Sequence, residues 1–157
     1  MEMSQLRTNS IVPVGGIPAG ASGGGIIQIV ESSLSNTGST TSSTLVNTGL
    51  SASITPRSTS SKILCIFSLA IRNDGQRSGI GLARNGTSIW GYQEAYPQTT
   101  AASAKTFQFL DSPSTTSSIT YAVQYRVNGG TALLSDVGGI DPSGSNPHRI
   151  TLLEISG

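Results

Sequence analysis

Three times along the chain a Ser/Thr/Pro-rich turn runs into a compact series of β-branched and aromatic residues: GLSASITPRSTSSKILCIFSLAI (Gly49 to Ile71), FLDSPSTTSSITYAVQYRV (Phe109 to Val127) and the terminal HRITLLEISG (His148 to Gly157). Turn residues followed by such runs specify strands. The strand at Lys62 to Ile71 is the most demanding of them. Ile63, Cys65, Phe67, Leu69 and Ile71 share one face, while Leu64, Ile66 and Ala70 line the other. A strand apolar on both sides needs cover on both sides. A single sandwich covers only one, so a subunit interface is expected on the second.

The remaining sequence follows the same grammar. Strands are expected over Gly25 to Leu34, Thr44 to Pro56, the two arms of GIGLARNGTSIWGY, Lys105 to Asp111, Ser118 to Val127, TALLSD and Arg149 to Ile155. Asn85-Gly86 is a strong hairpin signal. Leu50, Ala52 and Ile54 fall on one face, as do Phe107 and Phe109, and Tyr121, Val123, Tyr125 and Val127. No amphipathic helix is visible. The expectation is an all-β antiparallel sandwich or jelly roll of about eight strands, occupying residues 25–157.

Residues 1–24 are different. IVPVGGIPAGASGGG combines two prolines with a glycine cluster and has neither strand nor helix period. Such a segment cannot bury enough surface to offset its ordering entropy alone. It is expected to be an extended N-terminal arm on a neighbouring subunit, with Leu6, Ile11, Val12, Val14 and Ile17 making the contacts.

Composition narrows the function classes. Only 11% of residues are charged, against about 25% in ordinary domains, and Ser and Thr make up about a quarter of the chain. The nine basic residues are scattered and the net charge is +1, which disfavours the basic stripe that nucleic-acid binding requires, and membrane-surface binding with it. No apolar stretch approaches the roughly 20 residues of a spanning helix. MEMSQLRTNS lacks the features of a secretory signal, so synthesis in a cytoplasm is expected. The single Cys65 lies in the most apolar run and reads as a small buried hydrophobe, with no intrachain disulfide available.

Reactive chemistry is sparse. Gly20-Ala21-Ser22-Gly23-Gly24 matches G-x-S-x-G, but Pro18 precedes it and no helix follows, so a hinge is the better reading. His148 is the only histidine and makes no zinc site alone. Asp136, Asp141, Ser143 and Asn146 have oxygens suited to calcium, but their spacing matches no defined loop. No cofactor or metal is expected. Asn85-Gly86-Thr87 fits a glycosylation acceptor, though the hairpin already explains it. Glu94 alone among the acids is flanked by aromatics: Trp90, Tyr92, Glu94 and Tyr96 form a candidate glycan platform, against the plainer reading that these rings pack on the sheet or a neighbour.

Several blocks together resemble a β-module of tailed-bacteriophage virion proteins, of the kind met in marine and cyanobacterial phages. They are GLSASITPRSTSSKIL, LDSPSTTSSITYAVQYRV and RITLLEI, with LARNGTSI as the hairpin between and SGGGIIQIVES as the lead-in. The opening LRTNSIVP is similar to the starts of phage fibre-type proteins. The resemblance covers roughly Gly23 to Gly157. It implies a non-enzymatic structural protein of the virion, assembled in the host cytoplasm and trimeric, whose partners are its own copies and the major capsid protein or another virion protein. The absence of a fibre shaft fits a head-decoration (cement) protein. The alternative is a short capsid or tail fibre that binds host glycans through its tip loops.

Overall fold

The computed structural model describes residues 25–35, 38–74, 77–94, 98–134 and 148–157, with the backbone alone at 93–94 and 98–103. Ten strands run through them: β1 (Ile26–Leu34), β2 (Ser39–Thr40), β3 (Val46–Ile54), β4 (Lys62–Asn73), β5 (Ser78–Arg84), β6 (Thr87–Glu94), β7 (Gln98–Asp111), β8 (Ile119–Val127), β9 (Ala132–Leu134) and β10 (His148–Ile155). They form two sheets, and every pairing is antiparallel. The first sheet runs β1-β10-β4, with β7 on the far side of β4 and β9-β2 continuing beside its end. The second runs β3-β8-β5-β6. The last strand thus lies inside its sheet, between β1 and β4, and no helix occurs among the described residues.

The core is the set of inward positions that alternation marks. Ile63, Cys65, Phe67, Leu69 and Ile71 of β4, with Ile150 and Leu152 of β10, meet Leu50, Ile54, Ile80, Leu82, Tyr121 and Val123 across the sandwich. The face of β4 that meets the core is therefore the Cys65 face. Cys65 is completely buried, and burial, helped by the negative charge of Asp111, pushes its thiol up to about 12. No thiolate forms there at neutral pH.

Two departures from the expected strands have local causes. The strand expected from Lys105 begins at Gln98, because β7 pairs along nearly the whole length of the long β4. Within β3 the register shifts between Asn47 and Ser51, where Gly49 adopts φ +94°. Only glycine takes that conformation cheaply, and a glycine inside a strand marks such a bulge. Thr48 completes it, its hydroxyl donating to the Val123 carbonyl at 2.8 Å while accepting from Leu50 N–H. At the β5–β6 hairpin Asn85 and Gly86 both have positive φ (48° and 84°), the signature of a type I′ turn. The Asn85 side chain accepts from Thr120 N–H.

Two carboxylates sit where alternation would put apolar residues, and each fastens the sheets. Glu154 follows Ile150 and Leu152 on the inward face of β10 and is fully buried. Its oxygens accept from Arg57 N–H and from Gln28 Nε2, both at 2.7 Å, and the same Gln28 amide donates to the Thr55 carbonyl at 2.8 Å. The T-P-R-S-T-S-S turn, which carries the chain from one sheet to the other, is pinned in this way. Burial pushes the Glu154 carboxyl up, but the Ser61 hydroxyl, Arg57 N–H and Gln28 amide that face it favour the charged form and hold it below its ordinary 4.5 on balance. A depressed folded value gives stability that is complete above pH 4.5 and lost as pH falls through the folded value. Urea midpoints measured against pH should show this acid limb, and Glu154→Gln should flatten it. Glu154→Ala removes the acceptor of the Arg57 N–H and one of the two acceptors of the Gln28 amide, and should cost about 1–3 kcal/mol at neutral pH.

Asp111 is the second. It continues the Phe107, Phe109 face of β7 and is nearly buried. Nη1 of Arg84 donates to both its oxygens, at 3.1 and 2.8 Å, and the fully buried Tyr121 hydroxyl donates at 2.6 Å. Arg84 and Tyr121 belong to the second sheet and Asp111 to the first, so the cluster bolts the two together. Burial, and then the bond to Asp111, raise the Tyr121 hydroxyl well above its usual range.

Candidate functional site

The most informative surface is the outer face of the first sheet. Register places Ile29 opposite Leu153, Leu153 opposite Leu64, and Leu64 opposite Leu110. Four adjacent strands, β1-β10-β4-β7, thereby set one apolar row straight across the sheet. The neighbouring row is Glu31–Thr151–Ile66–Gln108, and the one beyond it Ser33–Arg149–Ser68–Thr106. Toward the other end Ile26 faces Ile155. Ile29 is 61% exposed, Ile26 58% and Leu110 49%, while Leu64, Ile66 and Leu153 are half-buried. The face is apolar at one end and polar at the other, where Arg149 and Glu31 form an ion pair at 2.7 Å and Ser68 and Thr106 share a hydroxyl bond at 3.1 Å. Contiguous exposed apolar residues with a polar rim mark association surfaces. The second face of β4, expected from sequence to need a cover, is the centre of this patch.

The aromatic candidates are placed differently. Trp90 and Tyr92 lie on the inward side of β6, opposite Leu82 and Ile80. Trp90 is half-buried, edge-on to Phe67 (5.7 Å, 78°) and tilted against Phe107 at 5.4 Å. The Tyr92 ring also packs on Phe107, at 5.5 Å, with 49% of the residue exposed. These two rings extend the core toward its open edge and pack on the sheet. The Glu94 side chain and Tyr96 lie outside the described residues, as do Leu6, Ile11, Val12, Val14 and Ile17 of the arm, the Gly20–Gly24 motif, and Asp136, Asp141, Ser143 and Asn146.

His148 is buried at the start of β10, where its Nδ1 accepts from Ala70 N–H at 3.2 Å. It ties β10 to β4 through an unprotonated Nδ1. Among the described residues no group of three His, Cys, Asp or Glu side chains converges as a metal site would require. No helix among them is long and apolar enough to cross a membrane.

A further concavity lies on the outer face of the second sheet. It has a volume of about 690 Å³ and is bordered by Ser43, Thr44, Leu45, Ser88, Gly91 and Arg126. Sequence reading missed it, because its shape comes from glycines at alternate positions of paired strands. Gly79 and Gly81 in SGIGLAR, with Gly91 across from Gly81, were the available signal.

No known family model and no curated protein matches the chain. Among solved structures, dimeric latent PorU from Porphyromonas gingivalis is similar at a TM-score of 0.46 and 13% identity over 87% of this chain. The infectious bursal disease virus Gt strain structure is similar at 0.39 and 12% identity over 83% of it. The chain spans 14% and 40% of the lengths of those two chains. Likeness at this distance carries no functional argument.

Proposed function

We propose that this chain is a non-enzymatic structural protein of a tailed-bacteriophage particle, most simply a head-decoration (cement) protein. It acts as a trimer built through the outer face of its β1-β10-β4-β7 sheet. The observation that carries this reading is the apolar row Ile29–Leu153–Leu64–Leu110, which crosses the four strands β1-β10-β4-β7 and ends in exposed side chains. The resemblance of the strand and turn blocks to phage virion modules supports the setting, and the pinned inter-sheet turns suit a part that bears load.

The mechanism is mechanical. Copies bury the apolar row against one another, and about 1,000 Å² or more per contact suffices for stable association. Leu6 to Ile17 of each copy then add contacts on neighbouring capsid subunits, and repetition around a symmetric shell multiplies a modest single-site affinity. Removal of residues 1–22 tests the arm. The truncated protein should keep the oligomeric state of the full chain but sediment with capsids far less. Unchanged capsid affinity would exclude the arm as the attachment device.

A further inference from the structure

The concavity on the second sheet has a definite origin. A side chain at Gly81 would collide with Leu45, whose Cδ1 lies 2.8 Å from the Cβ position, and one at Gly79 would collide with Arg126, whose Nε lies 2.9 Å away. Both glycines are needed so that Leu45 and the Arg126 stem can lie flat on the sheet. Gly91 is different: among the described residues its Cβ position meets nothing closer than the Ile80 carbonyl at 3.8 Å. Two of the three glycine positions are filled by neighbouring side chains and the third is left open by the described residues. The open space over Gly91 is the groove.

Its walls are held in place. The Ser42 hydroxyl donates to the Thr44 carbonyl (2.8 Å) and accepts from Thr44 N–H (3.1 Å), while the Ser42 carbonyl accepts from Val127 N–H (2.8 Å). These bonds fix the segment that carries Ser43, Thr44 and Leu45. Nη1 of Arg126 donates to the Ser43 carbonyl at 3.4 Å. On the other side Ser88 donates to Gln124 at 2.6 Å, and Gln124 to Asn47 at 3.2 Å. The result is a preformed groove with a bare peptide floor, hydroxyls at its borders, one aliphatic side chain and a positioned guanidinium. No described aromatic ring lines it, because Tyr92 turns its ring to Phe107 and offers only backbone here.

We propose that this groove binds an acidic saccharide. The ring's C–H face lies over Gly91 and Leu45, its hydroxyls meet Ser43, Thr44 and Ser88, and its carboxylate or sulfate meets the planar donor array of Arg126. The volume falls in the range of small-molecule sites, about 300–1,000 Å³. Among the described residues a nucleobase would find no ring on this face to stack on, and a lipid would meet hydroxyls and a guanidinium rather than a continuous apolar wall. Because the two outer faces of a sandwich point in opposite directions, association through the first sheet leaves this groove open. The inference does not depend on the virion reading, since a decoration protein and a fibre would present the groove alike.

The test is a panel of immobilised uronate-containing, sulfated and neutral oligosaccharides exposed to the full chain. Retention on the uronate or the sulfated members is expected, and which of the two is retained identifies the oxyanion. Arg126→Gln should weaken that retention tenfold or more. Gly91→Val, which suits a strand and has room for its Cβ, should abolish it while leaving the thermal melt unchanged. Retention of no acidic saccharide, retention of neutral members only, or unaltered retention by a folded Gly91→Val protein would each overturn the proposal. Loss of saccharide retention with the oligomer intact would leave the assembly reading untouched.

Discussion

Asp111→Ala is expected to destabilise the protein by about 3 kcal/mol. The substitution strands two donors that no other described carboxylate serves. The Tyr121 hydroxyl is fully buried, and leaving it unpaired costs about 1–3 kcal/mol. The Arg84 side chain is one-third exposed, so water recovers part of what its guanidinium loses, and the full cost of about 3–5 kcal/mol for breaking a buried pair does not apply. For a chain of this length, about 3 kcal/mol corresponds to a melting temperature lower by roughly 6–12 °C. Tyr121→Phe removes one donor and keeps the Arg84–Asp111 pair, so about 1–2 kcal/mol is expected. Because the residues form one cluster, the double variant should lose less than the sum. Urea midpoints at fixed protein concentration measure all three, and an Asp111→Ala midpoint equal to wild type would refute the role of the cluster as the bolt between sheets.

Placing a charge at both ends of the exposed row, Ile29→Asp with Leu110→Asp, is expected to dissociate the oligomer. Both side chains are exposed, Ile29 at 61% and Leu110 at 49%, so the monomer's own fold should be nearly unaffected. In the assembly the same positions become dry, and an unpaired carboxylate there is strongly unfavourable. Truncating a central interface residue alone costs about 2 kcal/mol or more, roughly thirtyfold in affinity. The double charge should exceed that at every contact of a symmetric assembly. Thr106→Asp, two rows away at the polar end, is the control and should leave the mass unchanged. An oligomer that persists in the Ile29→Asp/Leu110→Asp protein would show that the row is not the interface.

The strands were legible because period-2 alternation and turn chemistry agree almost everywhere. Asn85-Gly86 and the alternation of Tyr121, Val123, Tyr125 and Val127 led directly to the hairpin and to the inward face of β8. The two-sided β4 also indicated an outer patch, although not the partners Ile29, Leu153 and Leu110. Those follow from strand order and register, which depend on long-range pairing. The buried carboxylates were within reach and were missed: Glu154 falls in step with Ile150 and Leu152, Asp111 with Phe107 and Phe109, and Arg84 with Ile80 and Leu82. A charge that keeps the core parity of its strand implies a buried partner. Trp90 and Tyr92 drew attention as a surface platform because a strand near a sheet edge has an inward face that looks like any other alternating run. The positions of β4 and β7, with Phe67 and Phe107 opposite, fix their packing.

A trimer requires self-association through the outer face of the first sheet. Sedimentation equilibrium of the full chain tests it most directly. In the micromolar range a species of three times the chain mass of 16.1 kDa is expected, reverting to one chain mass in the Ile29→Asp/Leu110→Asp protein. A single 16.1 kDa species at every concentration would contradict it.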